Sequence, residues 1–309
     1  MNRNEALKEL WNGLSSVYTS NELSKKKPEE ASKIFRALLK KITGNGAVIH
    51  VVSTEDGVKK TKKLLPDFIK KMNLQPLGEK KEVPLEKLIK LTELPGEILN
   101  PASKKKCNPD FVDEVVLING TVGSACSSFR SDEYGKKSCA SEAVFCHRMA
   151  NNELWETIRT KGGAYGVNFN STPSAAYSFY GTYRDPKPFD SASAIKKAVA
   201  ESKENVYSED EVEKSVIGRY AALIEPMTPC DRGMTAFIYE LQGRGHDEIK
   251  KNVAAILSVT AESMKKAAKR YAERIMEDDG TFSTVIFCPK SLFSAKNKEN
   301  TGKIISLPL

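Results

Sequence analysis

The stretch AVIHVVS at 47–53 restricts this chain more than any other, because it is an apolar strand pattern with only helical patterns beside it. Leu7, Leu10, Trp11, Leu14 and Val17 recur at helical spacing over 3–18. Ile34, Phe35, Leu38, Leu39 and Ile42 do so over 28–43 behind Pro28, and Val58, Leu64, Leu65, Phe68, Ile69 and Met72 over 55–72. These spacings predict amphipathic helices, and Gly44 and Gly46 stop the second one before the strand begins. A lone strand leaves N–H and C=O groups unpaired along both edges, which a folded apolar segment does not tolerate. Residues 1–72 therefore read as the C-terminal part of a domain. Its other strands must come from elsewhere in the chain, from an upstream segment or from another polypeptide.

Residues 73–110 carry Pro76, Pro84, Pro95, Pro101 and Pro109 among lysine runs, the pattern of a linker with one short helix near 85–91. From 111 the alternation changes. A strand is predicted at 112–123, then helices at 134–150 and 153–160, and strands at 163–171 and 175–184 joined by Thr172-Pro173-Ser174. Helices follow at 189–206, 209–224, 231–242, 246–257 and 260–277, and a strand at 282–288. Ser208 and Glu211 form a capping box before the helix at 209–224. Residues 111–309 thus read as a complete α+β domain, with a mainly antiparallel sheet against helices. A shift of 237 residues sets Ala31 on Ala268, Leu38 on Ile275 and Val48-Ile49 on Val285-Ile286. This weak echo suits a partial domain of the same kind at 1–72.

No apolar run approaches the ~18–20 residues that span a bilayer, and MNRNEALKEL lacks the apolar core of a secretory signal. The expectation is a protein inside the cell, with no membrane partner. The six cysteines form no CxxC pair and read as free thiols; Cys146 and His147, as helix neighbours, point about 100° apart and share no site. The net charge of +8 comes wholly from the first third: Lys and Arg outnumber Asp and Glu 22 to 14 up to residue 110 and balance 26 to 26 after it. Runs such as Lys25-Lys26-Lys27, Lys80-Lys81 and Lys104-Lys105-Lys106 lack interleaved aromatics. A solvated face outweighs a nucleic-acid site.

The densest chemistry lies in LWETIRTKGGAYGV at 154–167. Arg159 closes a predicted helix and Tyr165 opens a predicted strand, so a Gly162-Gly163 corner can turn both side chains to one side. Glycine accepts backbone angles closed to other residues and lets another chain approach. A guanidinium and a phenol suit a peptide carbonyl or carboxylate. On these residues alone, Arg159 capping helix carbonyls and Tyr165 merely packing is an equal reading.

That stretch, with SFYGTYRDP (178–186), SEDEVEKSVIGRYAALIEPMTP (208–229) and DRGMTAFIYELQG (231–243), resembles the last domain of the insulinase-like M16 zinc peptidases, presequence protease branch. The resemblance covers about 112–290, and more loosely 1–72. It implies four α+β domains that close round a peptide in two halves, with the zinc and an HxxEH element in the first half. It also implies that Arg159 and Tyr165, at the Gly162-Gly163 bend, hold substrate across the chamber.

The chain itself has His50, His147 and His246 and no HxxEH or its inverse, so no catalytic residue, metal ligand or cofactor is expected here. GxSxG, P-loop and dinucleotide patterns are absent as well. Asp278-Asp279 and Glu209-Asp210-Glu211 suit helix ends, and Tyr177, Phe179 and Tyr183 share a strand face that reads as core. The expected function is a non-catalytic segment of a presequence-protease-like zinc endopeptidase, inactive alone, whose partners are an HxxEH-bearing M16 half and a peptide. The alternative is a free-standing, non-catalytic peptide-binding or assembly subunit of the same fold.

Overall fold

A computed structural model describes residues 3–76, 83–100, 110–276 and 281–307. Parts of the expected linker at 73–110, including Lys80-Lys81 and Lys104-Lys105-Lys106, lie outside the described residues, as do Cys107 and Asp278-Asp279. Beyond its first five residues the chain forms two compact units, one of Ala6–Thr92 with Glu225–Ile249 and one of Glu93–Ile224 with Lys250–Leu309. No described helix is long and apolar enough to cross a membrane.

The first unit opens with α1 (Arg3–Asn12) and α2 (Leu14–Ser24), which Gly13 divides where one helix was expected. Glu9 folds back and accepts the N–H of Leu14 at 2.8 Å, so the side chain takes over a bond the helix gives up. Helices α3 (Pro28–Gly44), α4 (Glu55–Met72) and α5 (Leu85–Thr92) follow the predicted periodicity. Thr54 caps α4 by accepting the N–H of Gly57, and left-handed Asn73 (φ 50°) ends it.

Between α3 and α4, residues 47–53 belong to no strand, which corrects the sequence expectation. A strand exists only with a neighbour to bond, and among the described residues 47–53 has none. The helix Pro229–Leu241 covers it in part: the rings of His50 and Phe237 stack at 4.5 Å, and a Cβ on Gly233 would lie 2.3 Å from Val52. These contacts draw that helix into the first unit, although its sequence position had placed it in the 111–309 domain.

Ile34, Phe35, Leu38, Leu39 and Ile42 of α3, Leu64, Phe68, Ile69 and Met72 of α4, and Val48, Ile49 and Val52 between them are all exposed. The buried described residues of this unit are Ala6, Thr43 and Leu88. Amphipathic helices gain most of their stability from burying the apolar stripe, and these stripes stay in water.

The second unit is built on one seven-stranded sheet. Its elements are β1 (Glu97–Ile98), β2 (Val112–Leu117), β3 (Ser124–Arg130), α6 (Ser138–Asn151), β4 (Gly166–Thr172), β5 (Tyr177–Tyr183), α7 (Pro188–Glu201) and α8 (Glu209–Leu223). After the helix already placed in the first unit, α9, come α10 (His246–Leu257), which belongs to this unit from Lys250 onward, α11 (Ala261–Met276), β6 (Ser283–Cys288), α12 (Ala295–Glu299) and β7 (Thr301–Ser306). The strand order is β1-β7-β2-β6-β3-β5-β4. β2 runs parallel to β6 and β7, and every other pairing is antiparallel, so the architecture is the expected α+β one with a mixed, mainly antiparallel sheet.

The stretch expected as one strand at 112–123 ends at Leu117, and the chain returns as β3, a central strand that the pattern SACSSFR did not announce. Serine and cysteine are weak strand formers; what holds β3 is pairing to β5 and β6 on both sides. Phe129, Phe169 and Tyr180 point from the sheet into one core with Val144, Phe145 and Met149 of α6, Ile195 of α7 and Tyr271 of α11. Glu142 is fully buried in this helical layer and accepts from Arg270 Nε and Arg274 Nη1, both at 3.1 Å. The capping box of α8 is present, with Ser208 and Glu211 each bonding the other's backbone N–H.

Candidate functional site

Arg159 sits on a π-helical turn, Trp155–Lys161, rather than on a regular α-helix. Such wide turns place side chains that an α-helix would space differently, and they recur at functional sites. Buried Leu154 and Ile158 anchor the turn in the core. Trp155 and Arg159 are left outward, and the guanidinium lies 4.0 Å from the centre of the indole ring. Stacking of this kind holds the cation in place without consuming its N–H donors. Among the described residues no hydrogen bond or ion pair engages the Arg159 side chain; nearby Glu156 is paired with Lys161 at 3.4 Å.

The two glycines act by different means. Gly163 has φ +84°, a left-handed angle costly for any residue with a Cβ. Gly162 has an ordinary φ of −78°, but a Cβ there would sit 2.5 Å from the carbonyl oxygen of Ile158. The corner thus needs one glycine for its angle and the other for its lack of bulk.

Ala164 is then buried, and the N–H of Tyr165 donates to the carbonyls of Tyr183 and Arg184 at 3.1 and 3.3 Å, which locks the start of β4 onto the end of β5. Tyr165 is 64% exposed, and its ring meets that of Tyr183 edge-on at 5.9 Å. Among the described residues its hydroxyl has no hydrogen-bond partner, so a donor and acceptor face open solvent. Neither does a hydrogen bond or ring contact join Tyr165 to Arg159: each rests on its own neighbour.

Arg184 lies over both tyrosines, 5.9 Å from the Tyr165 ring centre and 5.5 Å from that of Tyr183. Its φ of +48° is left-handed, a conformation that costs a non-glycine residue roughly 1–2 kcal/mol. The following Asp185 is fully buried; its Oδ1 accepts the N–H of Lys187 at 2.8 Å and its backbone bridges to Gly123, both of which hold the turn. Trp155, Tyr183 and Arg184 flank the candidate site, and sequence reasoning passed over them. The i, i+4 spacing of Trp155 and Arg159 was a usable signal; nothing in TYRDP announces the backbone angle of Arg184.

Tyr177, Phe179 and Tyr183 are not core, contrary to expectation. Ser178, Tyr180 and Thr182 face the helices, while Tyr177 and Phe179 are half-buried on the opposite side with ring centres 5.9 Å apart, and Tyr183 is 53% exposed. Alternation says which residues share a face but not which face the helices cover.

His50 stacks on Phe237, and His246 begins α10. His147 lies against Gly218, its pKa held below the usual imidazole value by burial and then by Arg219. The Cys146 thiol is turned into the core, 3.7 Å from the Tyr271 hydroxyl, and burial pushes its pKa far up, which leaves it unreactive. Among the described residues no group of three or more His, Cys, Asp or Glu side chains is arranged to hold a metal ion.

The family model of the PreP C-terminal domain matches residues 113–287. The mitochondrial presequence protease of Xenopus tropicalis is 27% identical over 169 residues, which cover 54% of this chain and 16% of that protein. That of Mus musculus is 30% identical over 122 residues, 40% of this chain and 11% of that one. The match therefore spans less than a fifth of the length of either relative. Among solved structures, a peptidase M16 inactive domain from Pseudomonas fluorescens aligns with 75% of this chain and 51% of its own at a TM-score of 0.48 and 11% identity.

Proposed function

The chain belongs to the PreP C-terminal domain family, and on that premise we propose that it is a substrate-holding wall of a peptide-degrading M16-type assembly, whose zinc and HxxEH element lie in another half. The observation that carries this reading is the pair of unengaged polar groups at the glycine corner. Arg159 is steadied by Trp155 and Tyr165 by Tyr183, yet neither guanidinium nor hydroxyl is used up by the protein among the described residues. Preorganised donors of this kind bind a peptide carbonyl and stabilise charge that develops on it, each contributing roughly 10²–10³ in rate where such donors have been removed.

The first unit supports the need for a further half. Its helical stripes and the unpaired segment at 47–53 are surfaces that a sheet would cover, and their exposure counts against the free-standing alternative. We assign the missing strands to the rest of the domain that residues 1–72 end, which would lie between this chain and the HxxEH-bearing half.

Mixing the chain with an HxxEH-bearing M16 half should give peptide hydrolysis that neither has alone. Arg159→Ala and Tyr165→Phe should each lower turnover at least tenfold while the two halves still co-elute. Turnover indifferent to both substitutions would overturn the reading.

A further inference from the structure

β4 is an edge strand of seven residues, since it pairs with β5 on one side and with no described residue on the other. Alternate N–H and C=O groups of an edge strand point outward. Proteins normally blunt such an edge by shortness, charge, proline or a bulge. The opposite edge of this sheet, β1, is two residues long. By contrast, GVNFNST in β4 has no charged residue and no proline, and its pairing to β5 runs in unbroken register from Gly166–Tyr183 to Thr172–Tyr177.

A polar groove of about 200 Å³ borders this edge, lined by 167–171 of β4, by His147 and Asn151 of α6 and by Arg219 of α8. Asn168 and Asn170 are exposed, and Tyr165 immediately precedes the strand. The edge therefore leads straight to the side chains at the glycine corner.

We propose that β4 receives an extended peptide as an eighth strand, so that this unit grips substrate through the peptide backbone and delivers it to Tyr165 and Arg159. The inference rests on the function proposed above and adds to it the mode of binding. Backbone pairing supplies affinity with little demand on side chains, so the chemical class of ligand is an unfolded, extended peptide of broad sequence. The polar groove tolerates polar and small side chains beside the strand.

The test uses the full chain and a fluorescent ten-residue peptide of mixed sequence in two N-methylated series, one methylated at odd amides and one at even amides. Methylation removes the donors of one edge of the peptide only and leaves the protein untouched. The expected result is a loss of affinity of at least tenfold for one series and less than twofold for the other. Asn168→Pro and Asn170→Pro localise the effect: Tyr165 donates its N–H toward the β5 side, so the N–H groups of Asn168 and Asn170, both an odd number of residues further on, point away from β5, and each substitution should weaken the parent peptide with the far-ultraviolet circular dichroism unchanged.

If both methylated series bind like the parent while Arg159→Ala weakens all of them, the edge pairing is wrong and the proposed function stands. Sensitivity to methylation that survives both Arg159→Ala and Tyr165→Phe would uphold the pairing and remove the role of the two side chains. Series-dependent binding unaffected by either proline substitution would place the pairing off β4 and overturn the inference. Absence of peptide binding would overturn both.

Discussion

Replacing Glu142 by Ala tests whether the helical layer behind the site is held by charge or by packing. The carboxylate is fully buried and accepts four hydrogen bonds: Arg270 Nε and Arg274 Nη1 at 3.1 Å, the N–H of Asp132 at 3.2 Å and the Tyr271 hydroxyl at 3.4 Å. Breaking a buried pair by removing one partner costs roughly 3–5 kcal/mol, because the other charge stays behind uncompensated. Here the arginine side chains keep 29% and 21% of their exposure and Arg274 retains Asp132 at 2.9 Å, which sets the expectation near the lower end.

With a urea m-value of about 3 kcal/mol/M, a loss of about 3 kcal/mol lowers the midpoint by about 1 M. Trp155 fluorescence in a Trp11→Phe background reports on this unit alone. Glu142→Gln keeps volume and an acceptor and should cost about half as much. The triple change Glu142→Leu, Arg270→Met, Arg274→Met should recover most of the loss. A midpoint shift under about 0.2 M for Glu142→Ala, or a triple variant less stable than the single one, would refute the electrostatic reasoning.

Two further outcomes follow from the geometry. Gly163→Ala, forced to φ +84°, should cost about 1–2 kcal/mol in thermal unfolding, and it should weaken peptide binding more than its loss of stability explains; a neutral substitution would show that the corner is not rigid. Acidification should destabilise the second unit in two stages. Burial alone would raise the carboxyl of Asp132, but the Ser138 hydroxyl and Arg274 outweigh it and leave the pKa lowered, while burial and then Arg219 lower that of His147. Both groups bind protons more readily unfolded than folded, so their contribution is present at neutral pH. It is lost as pH falls, first below about 6.5 for His147 and then through the carboxylate range for Asp132. Asp132→Asn should flatten the second stage of a midpoint-against-pH curve, and an unchanged slope would count against it.

The helices were legible because each carries its own instructions. Proline and threonine at the starts of α3 and α4, the box at Ser208 and Glu211, and the 3.6-residue spacing of apolar side chains are local signals. β3 was not legible, since a strand rich in serine and cysteine is stabilised by neighbours distant in sequence. At the site, Arg159, Tyr165 and the glycines were visible as residue types at a suggestive spacing. Their steadying partners were not: Tyr183 and Arg184 reach Tyr165 only through the pairing of β4 with β5.

Sequence by itself determined the helical periodicity, the α+β class, the lack of an HxxEH element and the glycine corner between a guanidinium and a phenol, because these depend on residue identity over a few positions. Tertiary structure alone decided that α9 lies against 47–53, that the Tyr177 and Phe179 face is turned away from the helices, and that β4 is the open edge. Those outcomes hang on which surfaces are covered, and coverage is a property of chain segments meeting across long separations, where local pattern carries no information.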